Sequence, residues 1–389
     1  MIKRELSQQL EKVKTGFPVV AIIGPRQSGK TTLLKKAFAG YKYFNLEDPD
    51  ILTSIQKDPG GFIKGSDGKI IIDEIQRAPL LLSYIQAVSD ERKRMGDYII
   101  SGSENLLLSE KINQSLAGRA AYLHLFPLSY GELANSKQQK RDIYSQMYYG
   151  FYPAVYDREI EPVVYYNQYL STYAERDLKQ IKNIANLSHF RKFMALLAGR
   201  TGQLLNMSSL ANDVGAAVST IEGWLSVLEA CYLIIRLQPY YRNFNKRQIK
   251  SSKVYFTDTA LVCRLLGLTS AQELKSHYLI GHLFENFCVM EFCKHISNNL
   301  KSAKLYFFRD SNANEVDLII DDGLRQIPVE IKLGATFNDE FLKGLDYWKK
   351  LSSSHNGYVI YTGDSEFKTA GAARVINWKN MNDIFQTMK

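Results

Sequence analysis

Eight consecutive residues, Gly24-Pro25-Arg26-Gln27-Ser28-Gly29-Lys30-Thr31, set two glycines with four residues between them and follow the second with a lysine and a hydroxyl. This G-x-x-x-x-G-K-[ST] spacing lets backbone N–H groups turn inward around phosphates, at a helix N-terminus where anions are already favoured. Lys30 is placed to reach the β and γ phosphates and the Thr31 hydroxyl to ligand Mg²⁺, with Thr32 beside it in the same turn. The run "GKIIIDEIQRAP" ends an apolar stretch in Asp73 and Glu74. Asp73 is the expected acid on the metal side, and Glu74 the expected group to orient an attacking water. A pair of surface acids is the plainer alternative.

A second set of charges lies in "NEVDLIIDDGLRQIPVEIKLG", residues 314–334. It reads as two short strands around an Asp-Asp-Gly turn. Side chains alternate along a strand, so Glu330 and Lys332 share one face, and Asp317 sits inside the preceding strand. That face is either wet or holds a metal. Two carboxylates on neighbouring strands suit Mg²⁺, which takes hard oxygen ligands and activates a bound water; Lys332 could orient that water. A salt-bridged Asp-Lys-Glu cluster is the structural alternative.

Elements must position these groups. Val19–Ile23 is a continuous apolar run of the kind buried on both faces of a sheet, and Ile70–Ile72 is a second. "DYIISGSENLLL" supplies a third strand whose end should lie beside the γ-phosphate, with Ser101 or Ser103 as the polar sensor. Downstream, Arg119 in "SLAGRA" could reach across a subunit boundary to transition-state charge, or simply pair with a carboxylate. Arg176 and Arg200 are weaker candidates for the same task.

The bulk numbers fit this reading. At 389 residues the chain is too long for one core, and 45% hydrophobic with 23% charged residues is a globular composition. No stretch approaches the roughly 18 apolar residues of a membrane span, and the N-terminus lacks a signal-peptide pattern, so a cytoplasmic location is expected. Cys231, Cys263, Cys288 and Cys293 show no metal-knuckle spacing and read as reduced thiols. The net charge is +9, which suits a polyanionic partner or plain solubility. Between Glu229 and Asp258 there is no acidic residue, while Arg236, Arg242, Lys246, Arg247, Lys250 and Lys253 alternate with aromatic residues.

After Pro153 the pattern changes to amphipathic helices. In "NMSSLANDVGAAVSTIEGWL" Ser208 or Ser209 caps a short helix, Gly215 marks a turn and Val218 opens a second helix, which is helix-turn-helix spacing. The following stretch reads as a β-hairpin, making the unit a winged helix. Its basic residues Arg242, Lys246, Arg247, Lys250 and Lys253 are the candidate DNA contacts; a packing module with a solvated hairpin is the alternative.

"GPRQSGKTTLL", "IIIDEIQRAP", "ISGSENLLL", "SLAGRA" and "PLSYGEL", in this order, with "GFYPAV", "ERDL", "KVYFTDTAL" and "EVDLII" later, resemble a family of prokaryotic AAA-type ATPases whose C-terminal domain is uncharacterised. The resemblance covers nearly the whole chain. It implies ATP binding, DNA association and a nuclease-like C-terminal fold. The order helix, three strands, helix, strand in the last hundred residues resembles the restriction-endonuclease-like core. That likeness makes Glu285, Asp317, Glu330 and Lys332 the candidate nuclease residues, although Val316 stands where proline usually precedes the acid.

The expected fold class is α/β in three parts: a P-loop AAA-type parallel-sheet domain (1–150), a helical and winged-helix domain (151–275) and a restriction-endonuclease-like domain (276–389). The expected cofactors are ATP and Mg²⁺. The expected partner is DNA, branched or junction forms among the attractive substrates, and assembly is expected to be a homo-oligomeric, hexameric ring. The rival readings are an ATP-gated scaffold that never cleaves and a peptide-remodelling ATPase with an incidental basic face.

Overall fold

Val19–Ile23 places four β-branched residues among five apolar ones, and it forms a strand, β1, buried along its whole length. A run without alternation suits a strand covered on both faces. The computed structural model of the protein describes residues 2–103, 116–172, 186–241, 250–352 and 357–387. In it, β1 lies between β4 (Tyr98–Gly102) and β5 (Ala120–His124), in a five-stranded sheet of order β2-β3-β4-β1-β5, where β2 is Lys42–Asn45 and β3 is Ile70–Asp73. Every neighbouring pair is parallel. Parallel strands deliver their carboxyl ends to one edge, so the residues following β1, β3 and β4 are brought together there. Helices α1 (Ser7–Val13) and α2 (Lys30–Ala37) close one face, their Leu10, Leu33 and Leu34 packing with Val20, Ile22, Ile71 and Ile99.

The chain divides into two compact units. The sheet just described belongs to Met1–Ser136, which is joined by Ala230–Leu233 and Ser297–Leu300; the second unit is Lys137–Glu229, Ile234–Ile296 and Lys301–Lys389. Most of the two stretches expected as middle and C-terminal domains falls in the second unit, together with residues 137–150 of the expected first domain.

Inside the second unit, the helix Met207–Val214 is capped by Asn206, whose side chain accepts the Ser209 N–H, and not by Ser208 or Ser209. Asn206 sits one residue ahead of the helix, where a short oxygen-bearing side chain can reach back to an orphan N–H. Gly215 adopts a left-handed φ of 83° and the second helix, Val218–Ala230, follows. The expected hairpin forms as β6 (Ile234–Pro239) and β7 (Lys253–Phe256), paired antiparallel. It does not stand alone. Gln238 and Pro239 of β6 pair in parallel with Tyr306 and Phe307 of β8 (Lys304–Arg309). One eight-stranded sheet results, of order β12-β13-β11-β10-β9-β8-β6-β7, where β9 is Glu315–Asp321, β10 Gln326–Lys332, β11 Tyr358–Tyr361, β12 Phe367–Lys368 and β13 Arg374–Asn377. The strand order and the helices Ile280–Asn298 and Lys343–Ser352 match the expected helix, three strands, helix, strand. The short strands β12 and β13 and the closing 3-10 helix Trp378–Thr387 extend it.

Among the described residues no helix is long and apolar enough to cross a membrane. Cys231, Cys263 and Cys288 are buried and in no disulfide. Burial pushes the Cys293 thiol up to about 12, so it too is a poor nucleophile.

Candidate functional site

The phosphate loop follows β1 directly. Leu125 donates its N–H to the Ile23 carbonyl at 2.8 Å, and a Cβ on Gly24 would lie 2.2 Å from the Leu125 carbonyl oxygen. Only glycine fits where the two backbones come this close. Lys30 is 5% exposed, and its ammonium donates to the Gly24 and Pro25 carbonyls at 2.9 Å each. Burial pulls this ammonium down to about 8, against the opposing pull of Glu74 and Asp73. Ser28 is buried, Arg26 and Gly29 half-buried, and Gln27 and Thr32 exposed.

Asp73, at the end of β3, is 3% exposed and accepts from three neutral hydroxyls. Thr31 Oγ1 donates to Oδ2 at 2.6 Å, Tyr43 OH donates to the same oxygen at 2.8 Å, and Ser101 Oγ donates to Oδ1. Glu74 has a left-handed φ of 57°, a sparsely populated conformation for a side-chain-bearing residue and one that recurs at functional sites. Its Oε2 accepts from Ser103 Oγ at 3.2 Å and from the Gln76 amide. The two serines therefore divide the work: Ser101 touches the first acid and Ser103 the second. Tyr43 and Gln76 complete the set. Sequence reasoning missed both, and only their positions, one on the strand beside β3 and one two residues past Glu74, could have pointed to them.

Thr31 and Asp73 present adjoining hard oxygens supported by uncharged donors. That donor set suits Mg²⁺, which takes one or two protein oxygens and fills its octahedron with water and phosphate.

Arg119 lies at the opposite edge. Its carbonyl accepts the Val19 N–H at 3.1 Å, at the amino end of β1, so a strand length of roughly 15 Å separates it from the loop of its own chain. Its guanidinium grips Asp90, with one bond of 2.9 Å, and the Ala117 carbonyl at 3.0 Å. A role for Arg119 at its own chain's phosphates is thereby excluded. Arg200 pairs with Asp213, and Arg176 lies outside the described residues.

In the second unit the expected charges do assemble, but differently. The β9–β10 register pairs Leu318 with Val329; one step further sets Asp317 opposite Glu330, on one face. Asp317 Oδ2 accepts the Ile331 N–H at 2.8 Å and the Lys332 ammonium at 2.7 Å. The same ammonium lies 2.5 Å from Glu330 Oε2. Burial tends to raise the Asp317 carboxyl, but Lys332 and Lys253 hold it below its usual range. Glu330 goes the other way: burial and the neighbouring Asp317 charge push it well above the carboxylate range. Its Oε1 has no hydrogen-bond partner and is covered by the backbone at Gly344, where a Cβ would lie 1.9 Å away.

Glu285 does not join these two acids as a ligand. It accepts from Lys253 Nζ at 2.8 Å and Tyr255 OH at 2.6 Å. Lys253, expected on an exposed wing, is 2% exposed and also lies 2.6 Å from Glu315, which Arg309 holds at 2.5 Å. Residues 253 and 255 share a strand face, and that face carries both side chains inward to the Ile280–Asn298 helix. Lys253 is therefore not a DNA contact. Arg236 is also spoken for, at 2.8 Å from Glu222 and 2.6 Å from Glu229. Lys250 is exposed; Arg242, Lys246 and Arg247 lie outside the described residues. Among the described residues no three His, Cys, Asp or Glu side chains are grouped to hold a metal ion. With a lysine already seated between Asp317 and Glu330, this cluster as arranged does not fit a divalent cation.

The AAA domain family matches residues 16–134, and two domains of unknown function match residues 140–272 and 280–381. An uncharacterised protein of Mycobacterium tuberculosis is 30% identical over 86% of this chain and 74% of its own length. An uncharacterised protein of Methanocaldococcus jannaschii is 25% identical over 97% of this chain and 87% of its own. The Walker-type ATPase of Pyrococcus abyssi shares 13% identity over 67% of this chain and 94% of that one, with a TM-score of 0.44, a likeness too remote to carry weight. The loop, the two acids and their serines sit inside the stretch that the AAA domain matches, and the chain belongs with the AAA-type P-loop ATPases.

Proposed function

We propose that the protein hydrolyses Mg·ATP and that its ATP state governs how the second unit engages DNA. One observation carries the catalytic part: Asp73 and Glu74 stand at the carboxyl edge of the sheet, each held by a serine of β4 or its continuation. In this reading Thr31 and Asp73 hold the Mg²⁺, directly or through its water, and the metal supplies charge neutralisation at the phosphates. Glu74, steered by Ser103 and Gln76, orients the water for attack on the γ-phosphate, and Lys30 leaves the loop carbonyls to neutralise phosphate charge. Arg119 would act only on a neighbouring subunit's nucleotide, after releasing Asp90. A homo-oligomeric ring, hexameric in the expected form, is the assembly that allows this.

DNA engagement rests on the net charge of +9 and on the basic run that reaches Lys250. The second unit is read as a DNA-holding scaffold in a restriction-endonuclease-like fold, because every acid of its cluster already has a cationic or hydroxyl partner. Cleavage is the second reading, favoured by the buried Glu330 Oε1, which has no hydrogen-bond partner; it requires Lys332 to vacate both acids. A cytoplasmic location follows from the nucleotide it consumes.

The test is ATP turnover with and without linear, supercoiled and junction DNA, in Mg²⁺ and in Mn²⁺. Stimulation by one DNA form that fades steeply with salt supports the reading. Turnover indifferent to every DNA removes the DNA partner, and metal-dependent nicking lost in Asp317→Ala replaces the scaffold with a nuclease.

A further inference from the structure

Arg4 belongs to no motif, yet it is 7% exposed and fully engaged. It precedes α1, anchored by buried Ile2 and Leu6 on either side, and its guanidinium spans three acceptors. Nε donates to Glu132 Oε1 at 3.0 Å, one terminal nitrogen donates to the Ser28 carbonyl at 2.6 Å, and the other donates to the Phe126 carbonyl at 2.6 Å. Glu132 is 1% exposed and is itself fixed. Its Oε1 also accepts the Glu5 N–H at 2.7 Å, and its Oε2 accepts the Ser129 N–H at 2.9 Å within a capping box. The brace thus ties the N-terminal segment, the chain after β5 and the phosphate loop to one cation.

We propose that Arg4, held by Glu132, is a positioning residue for the nucleotide phosphates, acting through the Ser28–Gly29 peptide. This rests on the reading of the loop as an ATP site. A trans peptide is planar, with its C=O and N–H pointing in opposite directions. Fixing the Ser28 carbonyl on the guanidinium therefore fixes the Gly29 N–H away from it, toward the side left for an anion. Gly29 has a φ of 94°, and glycine admits either orientation of the preceding peptide at little cost. The backbone alone does not choose; the guanidinium does. A cation on the carbonyl also polarises the amide, making its N–H a stronger donor. Phosphate then meets a donor already aimed, without reorganisation.

The experiment compares wild type, Arg4→Gln and Arg4→Lys by ADP titration, and by amide spectra of protein labelled with ¹⁵N-glycine. Arg4→Gln should bind ADP about tenfold more weakly, the size of one charge-assisted hydrogen bond. Its Gly29 amide proton should move upfield, a signature that general loosening of α1 does not produce. Arg4→Lys keeps the charge without the three-way fork and should fall between. If Arg4→Gln does not fold, Glu132→Gln carries the test, with weaker ADP binding and a displaced Gly29 resonance expected. Wild type that binds no ADP overturns the ATPase reading and this one with it. Wild type that binds ADP, with the folded variant binding equally and Gly29 unmoved, overturns this inference alone.

Discussion

The two charged clusters of this protein use opposite means to hold their carboxylates. At the phosphate loop, among the described residues, Asp73 and Glu74 accept from uncharged groups: Thr31, Tyr43 and Ser101 for one, Ser103 and Gln76 for the other. Their positions are fixed by neutral donors, and the Lys30 ammonium spends its hydrogen bonds on backbone carbonyls. In the second unit Lys253, Arg309 and Lys332 take up the charge of Glu285, Glu315, Asp317 and Glu330. Neutral donors orient an acid for a cation still to come; charged donors satisfy it at once. The same residue types at strand ends can thus make a cation-seeking site or a sealed network, and the partners decide which.

Removing charges from each cluster should affect the two very differently. Lys30→Ala should abolish measurable ADP and ATP binding in a titration, while Glu74→Gln should bind ATP and lose at least about a hundredfold in turnover. Asp317→Ala should leave DNA-free ATP turnover unchanged; a matching loss would mean that the second cluster serves the first. On the sealed side, Lys253→Ala leaves Glu285 without its lysine and Glu315 with Arg309 alone. It should cost about 3–5 kcal/mol of stability in denaturant unfolding. A near-neutral result would show that water reaches this cluster after all. Ser101→Ala removes one of three neutral donors to Asp73, and a loss of about tenfold in turnover is expected, with little change in melting temperature. The smallest effect is in pH. In EDTA, with Lys30 near 8 in the free protein and the phosphates raising it on binding, ADP binding takes up a proton. Affinity should therefore be level below pH 7 and weaken as pH rises through 8, by at most about tenfold per unit. Affinity that climbs with pH would mean Lys30 is not the phosphate partner.

Much of the first unit was legible because its signals are local. A strand, a glycine loop and a helix follow one another, and Asp73 closes an apolar run, so spacing alone carries the chemistry. What could not be read was everything that sheet order decides. Ser101 and Ser103 each find an acid because β4 lies beside β3, and Arg119 faces away because β5 starts where β1 starts. Arg4 reaches Ser28 from 24 residues earlier in the chain, and nothing in "MIKREL" marks it. "PLSYGEL" did hold one readable sign, Ser129 three residues ahead of Glu132, the capping-box spacing. In the second unit, face alternation correctly grouped Glu330 with Lys332, with Asp317 on the neighbouring strand. It failed for Lys253 because a lysine in a basic, aromatic-rich window looks solvated until an inward-facing acid on another helix is known.

The pairing of β6 with β8 has a consequence for where this chain can be cut. A cut at residue 275 would strip β6 of a neighbour and part Lys253 from Glu285, so neither fragment keeps a complete edge or a balanced interior. The hairpin and the terminal strands therefore keep their pairing only as one block, whereas the strands of the first sheet all pair among themselves.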